Sequence, residues 1–195
     1  MEMDNPYRPP EAELIMGSAE ADQVRPFFIT SLRKMATLYV LTSGLYSFYW
    51  MYKHWSIQKL YMSRKINPPL RSFFMLFFIH SLARRIAEAL PETVRKSWSY
   101  RSDATWAVIL MIVATFIDTL SDFASALSTL LLLIAVHLQL IPLLSIQHRA
   151  NQAGGHPLGD TNASMTRYNL PFLILGGLVW GLTLIASVAD LAGIA

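Results

Sequence analysis

Long apolar runs alternate with polar segments along the second half of this chain. The clearest runs are Thr105–Ile117, Phe123–Ile146 and Leu170–Ala189. A helix needs about 20 apolar residues to cross the hydrocarbon core of a membrane, so the last two runs are long enough. The first run is long enough if flanking residues such as Asp103 and Asp118 lie among the lipid headgroups. The pattern therefore predicts three membrane-spanning helices.

Polar residues mark the ends of these predicted spans. We expect Asp103 to cap the first span and residues 118–122 to form a tight turn before the second. Residues 147–169 contain several glycine turn signals, which predict a polar loop before the third span. Pro142 should kink the second span, as membrane helices tolerate.

The first half of the chain has shorter apolar runs. Met35–Tyr52 is barely long enough to span, whereas Phe73–Leu82 is too short and suits a re-entrant or interfacial helix. Either both segments cross the membrane, or both dip into the inner leaflet and return. The length of Met35–Tyr52 favours the first arrangement, and the positions of the basic residues favour the second. Gly44–Trp55 is dense in aromatic residues, whose rings with polar tips prefer the membrane–water boundary.

These patterns together predict an all-α, polytopic helical membrane protein. Three clear spans are preceded by an aromatic and basic, membrane-embedded helical pair. Residues 1–25 are acidic and proline-rich, which predicts a disordered cytoplasmic leader. Residues 26–195 then form a single helical integral membrane domain.

Composition and charge support this class and orient it. Hydrophobic residues make up 53% of the chain and charged residues only 15%, against about 25% charged in soluble domains. There is no cysteine, which excludes disulfides. Ten of the 16 lysines and arginines lie between Lys53 and Arg101. Basic blocks between uncharged runs argue against a nucleic-acid binder. Because basic loops stay inside, we expect a cytoplasmic N-terminus and an external C-terminus.

Four pieces of the chain form recognisable motifs: Gly44–Trp55 (GLYSFYWMYKHW), Pro69–Phe74 (PLRSFF), Leu82–Arg85 (LARR) and an Asn5–Pro10 leader of the NPYxPP type. Together they resemble a family of uncharacterised small bacterial inner-membrane proteins. Further similar pieces are residues 145–147, 149–151, 168–169 and 175–180. His54 stands where that family often has asparagine. The resemblance implies a bacterial inner membrane and brings no known activity, because the domain's function is unknown.

The basic block is the strongest functional pattern in the sequence. Basic residues beside a membrane attract anionic lipids by about 1 kcal/mol each. The first hypothesis is therefore a non-enzymatic module that binds anionic lipid or a protein partner, with Tyr7 in the leader as a peptide anchor. The alternative is that the basic residues only fix topology. The candidate lipid- or partner-binding residues are Tyr7, Lys53, Trp55, Lys59, Arg71, Arg84 and Arg85.

A second hypothesis is a small transporter or channel subunit that uses polar groups at membrane depth. His137 and Gln139 lie inside the second predicted span. The competing interpretation is a structural hydrogen bond between helices. A membrane enzyme acting on lipid is a third hypothesis. The residues point to no catalytic set, no metal site and no cofactor, and an oligomer is compatible with the pattern.

Overall fold

The computed structural model describes residues 27–120 and 126–193, and these ranges are helical with no strand. The predicted leader, with Tyr7, lies outside the described residues. The helices are α1 Leu32–Leu41, α2 Tyr46–Gln58, α3 Pro68–Phe73, α4 Met75–Ala89, α5 Glu92–Lys96, α6 Tyr100–Leu120, α7 Ala126–Leu138, α8 Leu140–Ala153 and α9 Leu170–Leu191. Short 3₁₀ turns cover Lys59–Tyr61, Asp160–Asn162 and Arg167–Asn169.

Three helical stretches are long and apolar enough to cross a membrane. They cover Tyr100–Ile117, Thr129–Ala153 and Arg167–Ala189. At about 1.5 Å per residue, each reaches or approaches the roughly 30 Å of a hydrocarbon core. The prediction of an all-helical protein with three apolar spans is confirmed.

The predicted boundaries of these spans were wrong in three places. Asp103 lies within the first turn of α6 rather than before it, and its carboxylate accepts hydrogen bonds from Trp98 and Ser145. The backbone of Asp118 belongs to α6, while most of the predicted turn lies outside the described residues. Residues 147–153 continue α8 instead of opening a loop, because their amides find buried partners described below.

The second span is interrupted at Gln139, between α7 and α8. Pro142 lies one turn later and has no N–H to donate to the carbonyl of Leu138. The break in the second span therefore lies about one turn before the proline, and the kink itself stays a prediction.

A tight turn divides the Met35–Tyr52 run into two helices. Gly44 N–H donates to Tyr39 C=O at 2.9 Å and Ser43 N–H donates to Val40 C=O at 3.1 Å. These two bonds form a Schellman motif, in which Ser43 takes a left-handed conformation with φ 45°. Gly44 follows with φ 89°, which a residue without Cβ adopts without strain. No single helix spans this run.

The α1–α2 hairpin enters and leaves at the same end of the second span. Thr30, just before α1, bonds to Asn151, and His54, near the end of α2, bonds to Gln147. The tip lies elsewhere, because the hydroxyl of Tyr39 bonds to the carbonyl of Val136 at 2.7 Å. Val136 and Asn151 are about 20 Å apart along the helix, at 1.5 Å per residue. The hairpin thus has the geometry of a re-entrant element.

The helices α3 and α4 form a second element, which is not among the helical stretches long and apolar enough to cross a membrane. One face of α4 is buried, at Met75, Ile79, Leu82, Ala83 and Ile86. Phe73 and Phe77 are 71% and 69% exposed at its start. A buried stripe beside exposed rings suits the predicted re-entrant or interfacial placement.

The aromatic run of α2 contributes mainly to the core rather than to a surface. Trp50 and Trp55 are fully buried and Tyr46 is 1% exposed, whereas Phe48 and Tyr52 keep about two fifths of their surface exposed. The density of rings predicted contact with a membrane surface, but helical periodicity turns half of them inward, against α4 and α8.

Candidate functional site

Several basic residues among those that the structure describes lie around one end of the bundle, which we call the basic end. Lys53 lies in the second half of α2 and Lys59 directly follows that helix. Arg101 lies in the first turn of α6. Asp103 and Ser145 bond to each other, so the start of α6 lies level with the polar half of α8. The polar ends of the three spans and of the α1–α2 hairpin therefore lie at the same end of the bundle.

A cavity of about 550 Å³ opens between α4 and α6 at this end. Six of its seven lining residues carry a polar group, and Nε2 of His80 lies 3.1 Å from Oγ1 of Thr105. Its lining residues are Phe77, His80, Ser81, Arg84, Tyr100, Arg101 and Thr105. The lining of the cavity thus combines two guanidinium groups, hydroxyl groups and an imidazole with aromatic rings.

The charges in this α4–α6 cavity are poorly neutralised by the protein. Arg84 lies 3.8 Å from Glu88, with both side chains more than half exposed, so water screens the pair. Arg101 stacks on Tyr100, and no described carboxylate lies within 4 Å of it. A smaller cavity of about 310 Å³ adjoins, sharing Arg84 and Tyr100 and adding Arg95 and Lys96. The wall is net positive and suits an anionic group.

Arg71 on α3 and Arg85 on α4 belong to a different surface. The guanidinium carbon of Arg71 lies 4.3 Å from the ring centroid of Trp55 and 4.8 Å from that of Phe78. Burial and the positive charge of Arg85 both lower the pKa of Arg71. Arg84 and Arg85 are neighbours in sequence, yet they serve two separate surfaces.

The other predicted lipid- or partner-binding residues are scattered. The ammonium group of Lys53 lies 5.7 Å from the ring centroid of Phe28. Lys59 is exposed in a 3₁₀ turn. Trp55 is fully buried beneath Arg71, so its ring has no surface to offer a lipid chain or a partner. Tyr7 lies outside the described residues. Among the described members of the predicted set, only Arg84 lines the α4–α6 cavity.

His137 and Gln139, the polar pair predicted within the second span, both form hydrogen bonds with other groups of the protein. Nδ1 of His137 lies 2.7 Å from the carbonyl of Leu133 on its own helix. The amide of Gln139 accepts from Tyr39 at 2.8 Å and donates to Ala107 C=O at 3.1 Å. These contacts match structural hydrogen bonds between and within helices, and they give transport no specific support.

A buried network of amides is the feature that sequence reasoning missed. Oε1 of Gln147 accepts from Nε1 of Trp50 at 2.5 Å and lies 3.1 Å from Nε2 of His54. Nε2 of Gln147 donates to Phe28 C=O and to Oδ1 of Asn151. The resemblance motifs contained Gln147 and Asn151, but hydropathy assigned both to a loop.

Asn151 fixes the extended segment that precedes α1. Its side-chain amide donates to Thr30 C=O at 2.9 Å and accepts from Thr30 N–H at 3.3 Å, as a neighbouring strand would. Asn162 donates to Ile29 C=O, and it also accepts from the buried ammonium group of Lys34 at 2.7 Å. The loop after α8 and the entry to α1 therefore form one unit.

The network sets the protonation of His54. Because Gln147 offers an oxygen, we assign the N–H of the neutral ring to Nε2. Nδ1 is then an acceptor, and it has no hydrogen-bond partner among the described residues. Phe27, Phe28 and Trp50 surround the ring. Complete burial in this apolar surrounding lowers the pKa of His54 to about 4.

Acid is therefore expected to destabilise the fold through His54. The folded pKa of about 4 lies below the ordinary value of 6.5, so the unfolded chain takes up a proton first. Stability is full above pH 6.5 and falls toward pH 4, by up to about 3 kcal/mol. Thermal unfolding of the detergent-solubilised protein across this range should show the loss. The His54→Gln variant retains an N–H donor for Gln147 and should lack this part of the pH dependence. If its stability falls with pH as that of the unaltered protein does, His54 is not the cause of the loss.

The described residues contain no group of three or more His, Asp or Glu side chains that could hold a metal ion. In comparison with known proteins, no family model matches the chain, and no curated protein or solved structure is significantly similar to it.

Proposed function

We propose that this protein is a non-enzymatic module of the bacterial inner membrane that binds the headgroup of an anionic phospholipid at its basic end. The α4–α6 cavity is the observation that carries the proposal. It lies where α6 leaves its polar first turn, and it joins Arg84 and Arg101 to hydrogen-bonding groups. A lipid phosphate would meet charge, donors and an adjoining apolar surface for its chains.

The orientation follows from the same charges. Basic segments remain cytoplasmic, which puts the N-terminus and the basic end inside and the C-terminus outside. The re-entrant hairpin supports this orientation, since both its ends stay with the basic residues. Lipid is favoured over a protein partner because the cavity joins the guanidinium groups of Arg84 and Arg101 to an exposed aromatic ring, Phe77, which suits a phosphate with adjoining acyl chains.

Removing both cavity arginines should weaken lipid binding. Each basic residue near a membrane surface contributes about 1 kcal/mol, so Arg84→Gln with Arg101→Gln should reduce affinity for phosphatidylglycerol roughly 10- to 30-fold. Native mass spectrometry, with phosphatidylglycerol titrated into the protein in neutral detergent, would measure the change.

The matched control removes the same charge elsewhere at the basic end. Arg64→Gln with Lys65→Gln alters two exposed residues between α2 and α3 that do not line the cavity. Because salt screens exposed charges at a distance from the bound phosphate, this variant should change the affinity less than about two-fold. Equal losses in both double variants would mean that diffuse charge attracts the lipid and that the cavity is no site. An unchanged affinity in the cavity variant would also refute the proposal.

A further inference from the structure

Arg71 and Arg85 form a pair of like charges that the protein does not neutralise. The two ion pairs among the described residues are Arg84–Glu88 and Lys96–Glu92. Asp103 is bonded to Trp98 and Ser145. Neither Arg71 nor Arg85 therefore has a carboxylate partner in the described part of the chain. Two partly buried guanidinium groups without an anion repel each other, which disfavours the arrangement on its own.

Helix geometry directs Arg85 toward Arg71. Phe78 and Arg85 are seven residues apart and share one face of α4. Side chains of a helix tilt toward its N-terminus, so Arg85 leans back toward Phe78, over which Arg71 stacks. The electrostatic influence of Arg85 on Arg71 agrees with this proximity.

Two donors at this place lack partners. Nε1 of Trp55 and Nε of Arg85 are buried and form no hydrogen bond within the described residues. Buried donors are nearly always bonded, and each unmade bond costs about 1–3 kcal/mol. Trp55 carries Arg71 on its ring face. The cluster of Trp55, Arg71 and Arg85 thus presents positive charge and spare donors, without an acceptor of its own.

We propose that Arg71 and Arg85, supported by Trp55, bind an oxyanion of the phosphate type at a site separate from the α4–α6 cavity. The planar guanidinium forks match the oxygens of a phosphate group, and a shift of the Arg71 side chain would open the buried donors to it. The phosphate can belong to a lipid headgroup or be free in solution. This site shares no residue with the lining of the α4–α6 cavity, so it can be tested independently of the proposed lipid site.

Thermal unfolding of the full chain in neutral detergent tests this site. Inorganic phosphate and dihexanoyl phosphatidic acid are added separately, each against sodium chloride at equal ionic strength. We expect at least one of the two to raise the unfolding midpoint by about 2–4 °C at several times its dissociation constant. A rise with both identifies phosphate itself as the ligand, and a rise with the lipid alone identifies a headgroup. No rise with either would overturn the proposal.

The variants separate binding from a structural role. Arg85→Gln should abolish the rise and leave the midpoint in chloride unchanged or higher, because it removes repulsion. Trp55→Phe keeps the ring and should reduce the rise, while Arg64→Gln with Lys65→Gln should preserve it. If Arg85→Gln lowers the midpoint equally with and without phosphate, the residue is structural and the proposal fails. If the rise disappears only in Arg84→Gln with Arg101→Gln, the anion binds the α4–α6 cavity and the second site does not exist.

Discussion

Replacement of Gln147 by leucine is expected to lower the free energy of unfolding by about 3–5 kcal/mol. The two side chains are similar in size, so the loss comes from hydrogen bonding rather than from a cavity. Trp50 Nε1 and His54 Nε2 would lose their shared acceptor, and the carbonyl of Phe28 would lose its donor. All three groups are deeply buried, and water cannot replace the missing amide without opening the core.

The same substitution at Gln152 is the matched control for Gln147. Gln152 lies on the same helix and bonds to Arg149 and His148 at a partly buried position. Chemical or thermal unfolding in detergent should show a loss below about 1 kcal/mol for Gln152→Leu. Similar losses in the free energy of unfolding at both positions would show that the hydrogen bonds of Gln147 do not stabilise the fold more than those of Gln152.

Replacement of Gly159 by alanine should also be severe, at roughly 2–5 kcal/mol. Gly159 has a left-handed backbone with φ 65°, which is strained for alanine. A Cβ atom there would collide with the backbone of Thr30 and would lie 2.7 Å from Nδ2 of Asn151. The substitution would push apart the loop and the entry to α1, which Asn151 holds together.

Substitution of Gly155 by alanine is the control that separates backbone strain from a steric collision. It has φ 78°, and a Cβ atom there would meet nothing within 4 Å. Gly155→Ala should therefore cost only the backbone strain of about 1–2 kcal/mol. Unfolding midpoints of the two variants, measured side by side, give the comparison. If Gly155→Ala is as damaging as Gly159→Ala, the packing of the loop on Thr30 contributes nothing measurable.

Hydropathy predicted the spans well because their apolar faces meet little of the protein. The last span is 6% buried within its apolar window, so lipid compatibility alone accounts for its composition. Its first glycine, Gly176, packs on the backbone of Leu41, where an added Cβ atom would lie 2.5 Å from the carbonyl oxygen. Gly177 and Gly181 have open space around them. Of the three glycines in the last span, only Gly176 therefore permits a close approach to a neighbouring helix among the described residues.

Candidate site residues were harder to predict, because charge alone does not show which surface a residue faces. Arg84 and Arg85 were predicted as one basic set, and helical rotation of about 100° per residue separates them onto two surfaces. Arg101 was counted in the basic block but not selected, and stacking on Tyr100 places it in the cavity. Trp55 was selected as a surface ring and is buried under Arg71.

The sequence by itself determined that the protein is helical and that it has three apolar spans, since these properties depend on local composition and helical periodicity. Only the tertiary structure decided that Met35–Tyr52 folds back as a hairpin and that Gln147 and Asn151 are core residues. The physical reason is that a buried amide is stable only with partners, and those partners lie 119 and 121 residues away in the chain.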